Sequence, residues 1–169
     1  VCNLCGSFTS KSGFCPQCAK QKPTYSGFRA FAFYTGVMRK AVQQLKYHND
    51  LSIGSYLAGL LEITYARTGW DVDMVVPIPI GEVKRKQRGY NQAERLAKPF
   101  SRELNFSYDP TALTRIHEIS SQVGLDQNAR HENVRNAFVA GSNKVRDKRV
   151  LLIDDVFTSG ATMQAAANE

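Results

Sequence analysis

Apolar positions in this chain come in short blocks whose spacing changes along its length. Residues 28–34 are aromatic-rich, with Phe31 and Phe33 on one face, which predicts a strand. Val37, Met38, Ala41, Val42 and Leu45 recur at helical spacing, with Arg39, Lys40 and Lys46 between them. Tyr47-His48-Asn49-Asp50 closes that helix and leaves His48 at its surface end. A second helix is expected over about residues 52–67, with Leu57, Leu60, Leu61 and Thr64 on its apolar face. Residues 73–80 (DMVVPIPI) predict a strand that must stop at Pro77-Ile78-Pro79, because a proline pair cannot continue a central strand. Lys84-Arg85-Lys86-Gln87-Arg88-Gly89 then reads as a basic loop. A helix over about residues 91–103 follows, capped by Asn91 and burying Ala93, Leu96, Ala97, Phe100 and Leu104. Residues 21–27, polar and carrying Pro23, read as a linker.

The last block is the most informative. Val150–Ile153 is a continuous apolar run, the pattern of a strand buried on both faces of a parallel sheet. Asp154 and Asp155 follow at its carboxyl end, then Thr158-Ser159-Gly160-Ala161-Thr162 and a helix-prone tail at residues 163–167. Strand, acidic pair, small hydroxyl-rich loop and helix start make a phosphate cradle, because free N–H groups and the positive end of the helix dipole face the ligand. Gly160 lets the backbone come close. The carboxylates cannot take phosphate, but they can hold sugar hydroxyls or a hydrated Mg²⁺, so the loop suits a ribose flanked by a phosphate. The plainer reading of the same residues is a buried strand, an Asp-rich turn and a Thr helix cap. Strand, loop and helix thus occur twice, once with basic and once with acidic residues. In a doubly wound sheet both loops would lie at the carboxyl ends of strands and face one ligand. Lys84, Arg85 and Arg88 would then meet a pyrophosphate, the alternative being a solvated basic loop.

The cysteines add a second theme. Cys2, Cys5, Cys15 and Cys18 form C-x2-C, nine residues, C-x2-C. Each pair can ride a tight turn, helped by Gly6 and Pro16, and two such knuckles complete a tetrahedral Cys₄ zinc site. With four protein ligands the zinc would be structural, and it would supply most of the knuckle's folding free energy. Two disulfides or free thiols are the alternatives, and nothing else suggests the export that disulfides need.

Composition narrows the class. The chain has 169 residues, 43% hydrophobic, with nine Phe and seven Tyr, enough for one main domain plus a small appendage. We divide it into a knuckle and linker at 1–24 and an α/β domain at 25–169. Lys plus Arg number 22 against 15 Asp plus Glu, a net charge of +7 that suits phosphate-bearing small molecules or nucleic acid. No apolar run of ~18 residues predicts a membrane span, and no signal-peptide pattern is found. A cytoplasmic location is expected. The chain begins without Met and stops soon after the acidic loop, so a fragment is expected.

Residues 150–162 resemble the phosphoribosyl-pyrophosphate (PRPP) signature of type I phosphoribosyltransferases. By that resemblance Asp154 and Asp155 contact the ribose hydroxyls, and Thr158, Ser159, Gly160, Ala161 and Thr162 wrap the 5′-phosphate. The full series is similar to the ComF (ComFC/GntX-type) competence family. It comprises the Cys₄ knuckle, LKYHND, VPIPI, KRKQRGYNQAERLA, a segment carrying Gln122, Leu125, Arg130, Asn133, Val134, Ala137 and Phe138, and the PRPP signature. The resemblance covers nearly the whole chain. It implies a type I phosphoribosyltransferase-like, mainly parallel sheet flanked by helices. It implies structural Zn²⁺, Mg²⁺ bound with PRPP, and pentosyl transfer to an acceptor that no residue identifies. It implies that residues 115–135, with Gln122, Arg130 and Asn133, form a flexible loop that closes over substrate between strands at 112–115 and 137–140. The family's last strand and closing segment are absent from this chain. The family's link to natural transformation implies a role in DNA uptake beside competence-machinery proteins such as a DNA helicase. A non-catalytic nucleotide sensor or single-stranded-DNA module is the alternative. In that case Arg39, Lys40, Lys46 and the basic loop would meet the backbone and aromatic rings would stack on bases.

Overall fold

The computed structural model describes residues 1–10, 13–48, 50–116 and 136–169. Its strands are β1 (Met74–Pro77), β2 (Ser107–Tyr108), β3 (Leu113–Arg115), β4 (Phe138–Ala140) and β5 (Val150–Ile153). Its helices are α1 (Pro16–Lys20), α2 (Gly36–Tyr47), α3 (Leu51–Tyr65), α4 (Glu82–Arg88), α5 (Gln92–Glu103), α6 (Ser142–Val145) and α7 (Ala161–Asn168). Three parallel strands pair in the order β2–β1–β5, with Met74 opposite both Ser107 and Val150. The antiparallel ribbon β3–β4 pairs Leu113 with Ala140. The fold is α/β: a small parallel sheet flanked by helices, with the cysteine cluster at its amino-terminal side.

Period-two alternation along β1 divides the interior into two cores. Met74 and Val76 pack with Leu113, Phe138, Ala161 and Ala165 on one face. Val75 packs with Val42, Leu45, Leu57, Leu96 and Phe100 on the other. All four residues of β1 are buried. β5 also serves both cores, but only Ile153 is fully buried, because among the described residues no strand pairs with its second edge.

α5 has the most regular helical pattern. Ala93, Leu96, Ala97 and Phe100 lie one face apart and are buried. Phe100 is 1% exposed, so truncation to Ala would cost about 3–5 kcal/mol. Pro99 interrupts α5 and removes the donor that would bond the Arg95 carbonyl. α3 comes closest at that carbonyl: a Cβ on Gly54 would sit 2.9 Å from Arg95 O, so only glycine permits the approach.

Asn91, 1% exposed, caps α5 by accepting the Ala93 N–H at 3.1 Å. Its Nδ2 donates to Ile78 O at 3.0 Å, and Tyr90 Oη donates to Leu45 O at 2.7 Å. The turn before α5 is thereby bolted to the end of β1 and to the carboxyl end of α2.

Three sequence expectations are corrected. The basic stretch containing Lys84, Arg85 and Arg88 is helix α4, not a loop. All of its residues except Val83 are straight-chain helix formers. Glu82 and Lys86 pair at 2.7 Å one turn apart, and left-handed Gly89 (φ 79) stops the helix. Residues 28–34 form no strand, and Phe31 and Phe33 are exposed. Their segment is held by single contacts: Phe28 stacks on Phe157 and Arg29 Nη1 donates to Asn3 O. Val37, expected on the core face of α2, is 80% exposed, since the helix has only just begun there.

The remaining connections tie the cysteine segment to the domain. Gly27 lies so close to Trp70 that a Cβ would reach Cζ2 at 2.8 Å, and the Arg29 guanidinium stands 5.8 Å from the same ring. Thr24 Oγ1 donates to Asn168 Oδ1 at 2.9 Å.

Candidate functional site

Local turns aim all four cysteine sulfurs at one point. Gly6, at φ 72, closes the first turn by donating to Cys2 O at 3.0 Å. Cys15 caps α1, its sulfur accepting the Cys18 N–H at 3.4 Å, with Pro16 in the first turn. The Cys15 N–H donates to Cys2 Sγ at 3.3 Å and joins the two halves. None of the four is in a disulfide. Their sulfurs all lie within 4.8 Å of one another, and Cys5 and Cys15 are 3.6 Å apart. A Zn–S bond of about 2.3 Å gives a tetrahedral edge of about 3.8 Å, so the donor set and spacing fit a structural Zn²⁺. Burial opposes ionisation of Cys2, yet the N–H groups of Cys5, Cys15 and Leu4 hold its thiol down to about 6. Burial, then the other cysteines, push Cys18 far above the usual thiol range. With all four ionised, the sulfurs at this spacing could hold a cation among them.

The second constellation starts where β5 ends. Asp154 and Asp155 follow Ile153, and the Asp155 N–H donates to Asp154 Oδ1 at 2.8 Å. Burial, then the neighbouring Asp155 charge, push the Asp154 carboxyl up to about 8. Gly160 at φ 80 stands at the cap of α7, and Gln164 N–H donates to its carbonyl at 2.8 Å. Ser159 Oγ accepts the Ala161 N–H at 3.4 Å, and Thr158 is exposed. The loop borders an open groove of about 1150 Å³, lined also by Phe31, Leu60, Asp154 and Asp155. Glycine at 160 also answers a packing demand. Besides its left-handed backbone, a Cβ there would meet Phe157 Cζ at 2.7 Å. Phe157 in turn stacks on Phe28 at 3.9 Å between ring centroids, and a Cβ on Gly6 would lie 3.0 Å from Phe28 Cδ1.

Asp155 is not a free carboxylate. Its Oδ2 lies 2.6 Å from Lys46 Nζ, and its Oδ1 accepts from Gln92 Nε2 at 3.0 Å. The Asp155 side chain is only 4% exposed. Gln92 also accepts from Arg88, the last residue of α4, whose guanidinium stands 5.5 Å from the Tyr47 ring. The acidic pair therefore offers little to a divalent ion by itself: one carboxylate is neutralised by Lys46, and the other holds its proton. Of the cations assigned to pyrophosphate, Arg85 pairs with Glu94 at 2.9 Å, Arg88 reaches the acidic pair through Gln92, and Lys84 lies exposed on α4. Gln122, Arg130 and Asn133 lie outside the described residues.

Sequence reading missed Lys46 and Gln92 as partners of Asp155, and Phe28 and Phe157 as the support of the loop. The only sequence signal was that Lys46 and Gln92 each fall inside a quoted motif, LKYHND and KRKQRGYNQAERLA.

No family model matches the chain, and no solved structure matches it. Among curated proteins it is 31% identical over 173 residues to DNA utilization protein YhgH of Escherichia coli (strain K12), covering 99% of this chain and 76% of that protein. It is 29% identical over 170 residues to Competence protein F of Haemophilus influenzae, covering 96% and 74%. It is 27% identical over 175 residues to Competence protein ComFC of Bacillus subtilis, covering 99% and 70%.

Proposed function

The chain belongs to the ComF family, and from that premise we propose that it binds PRPP with Mg²⁺, transfers the phosphoribosyl group to an acceptor, and acts in DNA uptake. One observation carries the reading: an acidic pair at the carboxyl end of a parallel strand runs straight into a left-handed glycine and the amino end of α7. Asp154, Asp155, Thr158, Gly160, Ala161 and Thr162 all line the groove beside it, which supports a ligand carrying both sugar hydroxyls and a phosphate. The names of the Haemophilus and Bacillus relatives carry competence, and that of the Escherichia relative carries DNA utilization.

In this reading Thr158, Ser159, Gly160, Ala161 and Thr162 hold the 5′-phosphate, Asp154 and Asp155 the ribose hydroxyls, and Lys84, Arg85 and Arg88 the pyrophosphate. The C1–O bond breaks and its electron pair leaves with pyrophosphate. The acceptor's lone pair forms the new bond to C1, and a proton is lost from the acceptor. The protein supplies position and charge rather than a nucleophile, because the transition state has oxocarbenium character. Mg²⁺ supplies charge neutralisation of the leaving pyrophosphate.

A second reading, single-stranded-DNA binding without turnover, is favoured by one feature. Phe8 and Phe33 stack at 5.4 Å while 76% and 65% exposed, a few residues from Arg39 and Lys40. Such rings suit base stacking. Calorimetry with PRPP and Mg²⁺, repeated with single-stranded DNA as competitor, separates the two. Saturable PRPP binding that DNA leaves unchanged supports the first reading. DNA binding with no PRPP heat overturns it in favour of the second.

A further inference from the structure

Side chains from three other elements gather at Asp155, two of them directly and one through Gln92. Lys46 comes from the end of α2, Gln92 from the start of α5, Arg88 from the end of α4, and Asp155 from the end of β5. The convergence is built in: Tyr90 Oη fixes the turn before α5 to Leu45 O, the residue next to Lys46. Arg88 stands over Tyr47, the residue on its other side. Lys46 is thus held on the buried anion, with Arg88 one residue behind it on Gln92. Positive charge gathered in this way is an electrostatic setting for a polyanion that brings its own negative charge.

The pair is also lopsided in exposure. The Lys46 side chain is 22% exposed and that of Asp155 4%, so the ammonium approaches the carboxylate from the solvent side. It sits on the oxygen that a sugar hydroxyl would need. The long Lys46 side chain, at a helix end, has room to swing toward solvent once another anion takes it, whereas Asp155 is held by Gln92 and by its place after β5.

We infer that Lys46 is a ligand-binding residue of this site that exchanges partners, leaving Asp155 for the pyrophosphate of a phosphoribosyl diphosphate and freeing Asp155 for the ribose hydroxyls. The inference rests on the phosphoribosyl reading above and adds to it a link between its two ends: the sugar's carboxylate and the leaving group's cation are one ion pair, opened by the ligand. Ribose 5-phosphate, which carries hydroxyls but no diphosphate, competes with Lys46 for Asp155 and offers the lysine nothing in return.

The two ligands therefore respond differently to Lys46→Met. PRPP with Mg²⁺, titrated by calorimetry, weakens at least tenfold, the effect of losing a charge-assisted bond. Ribose 5-phosphate stays within about threefold or tightens, because a competitor is gone. Lys46→Arg restores part of the PRPP affinity. Since Lys46→Met leaves Asp155 buried and unpaired, the same comparison is made between Asp155→Asn and the Lys46→Met, Asp155→Asn double variant, which has no orphaned charge. There the lysine still matters for PRPP. Equal weakening of both ligands by Lys46→Met, vanishing in the Asp155→Asn background, overturns the exchange and leaves Lys46 as a prop for Asp155. Wild-type protein that binds neither ligand overturns the phosphoribosyl reading and this inference with it.

Discussion

In the cysteine knuckle, every donor comes from the first eighteen residues, and short turns at Gly6 and Cys15 aim each sulfur. At the carboxyl end of β5, the two carboxylates are adjacent in sequence, but their environment is assembled from α2, α4 and α5. The knuckle gathers four sulfurs that could take an external cation. The acidic pair already has an internal one. A site suited to a metal and a site that carries its own counter-charge can thus be told apart by where that charge comes from. Three perturbations break or sharpen that contrast.

Metal removal has the largest effect. Purified protein should carry one Zn²⁺ per chain, and chelation should unfold the knuckle with a loss on the order of 10 kcal/mol of binding-coupled folding free energy. Metal analysis with amide NMR of residues 1–24 checks it. A folded knuckle with less than half an equivalent of zinc would sink the metal assignment.

The acidic pair should give opposite signs for its two members. Asp155→Asn leaves Lys46 unpaired and should destabilise by roughly 3 kcal/mol or less, below the full range for buried pairs because the ammonium is partly exposed. Asp154→Asn should stabilise the fold at alkaline pH. The Asp154 carboxyl is held up to about 8 by burial and by Asp155, so the folded state keeps a proton that the unfolded chain releases in the ordinary carboxylate range. Stability should fall as pH rises through that window and level off above about 8, and Asp154→Asn should flatten the slope. Asp155→Asn should also cost roughly 1.5–3 kcal/mol of PRPP binding, and Asp154→Asn, whose carboxyl holds its proton, roughly 0.5–1.5 kcal/mol. Thermal melts from pH 5 to 9, paired with calorimetry, read both effects. Two variants that shift stability in the same direction would contradict the division of roles.

The smallest effect is expected at α4, whose cations are mostly exposed. Neutralising Lys84, Arg85 and Arg88 together should weaken PRPP by about 1.5 kcal/mol in all, the low end for one charge-assisted bond, and spare ribose 5-phosphate. Equal losses for both ligands would show that α4 does not face the leaving group.

How much of this was legible depended on range. Helices α2, α3 and α5 and the strands β1 and β5 follow from period alone, because apolar residues must reach a core on one face or both. Cysteine spacing announces the knuckle, because the chemistry is complete within it. Helix α4 was taken for a loop because a run of charges has no apolar period, yet helix formers between two glycines need none. Residues 28–34 have strand composition, but a strand also needs a neighbour, and composition does not supply one. The Lys46–Asp155 pair was invisible for the deeper reason that two residues on different elements meet only once helix ends have been placed. Asn91 and Tyr90 place them here by reaching Ile78 O and Leu45 O.

The placement of Trp70 has a spectroscopic consequence. It is the only tryptophan in the chain, and it stands at the seam, against Gly27 and beneath Arg29, whose guanidinium also reaches Asn3 O between the first two cysteines. Release of the knuckle would free Arg29 from Asn3 O and so loosen the segment that packs on the indole. Its emission would then move to the red and become open to quenchers. The protein thus contains an optical gauge of knuckle docking that requires no label, and that can be followed in the same cuvette as ligand addition.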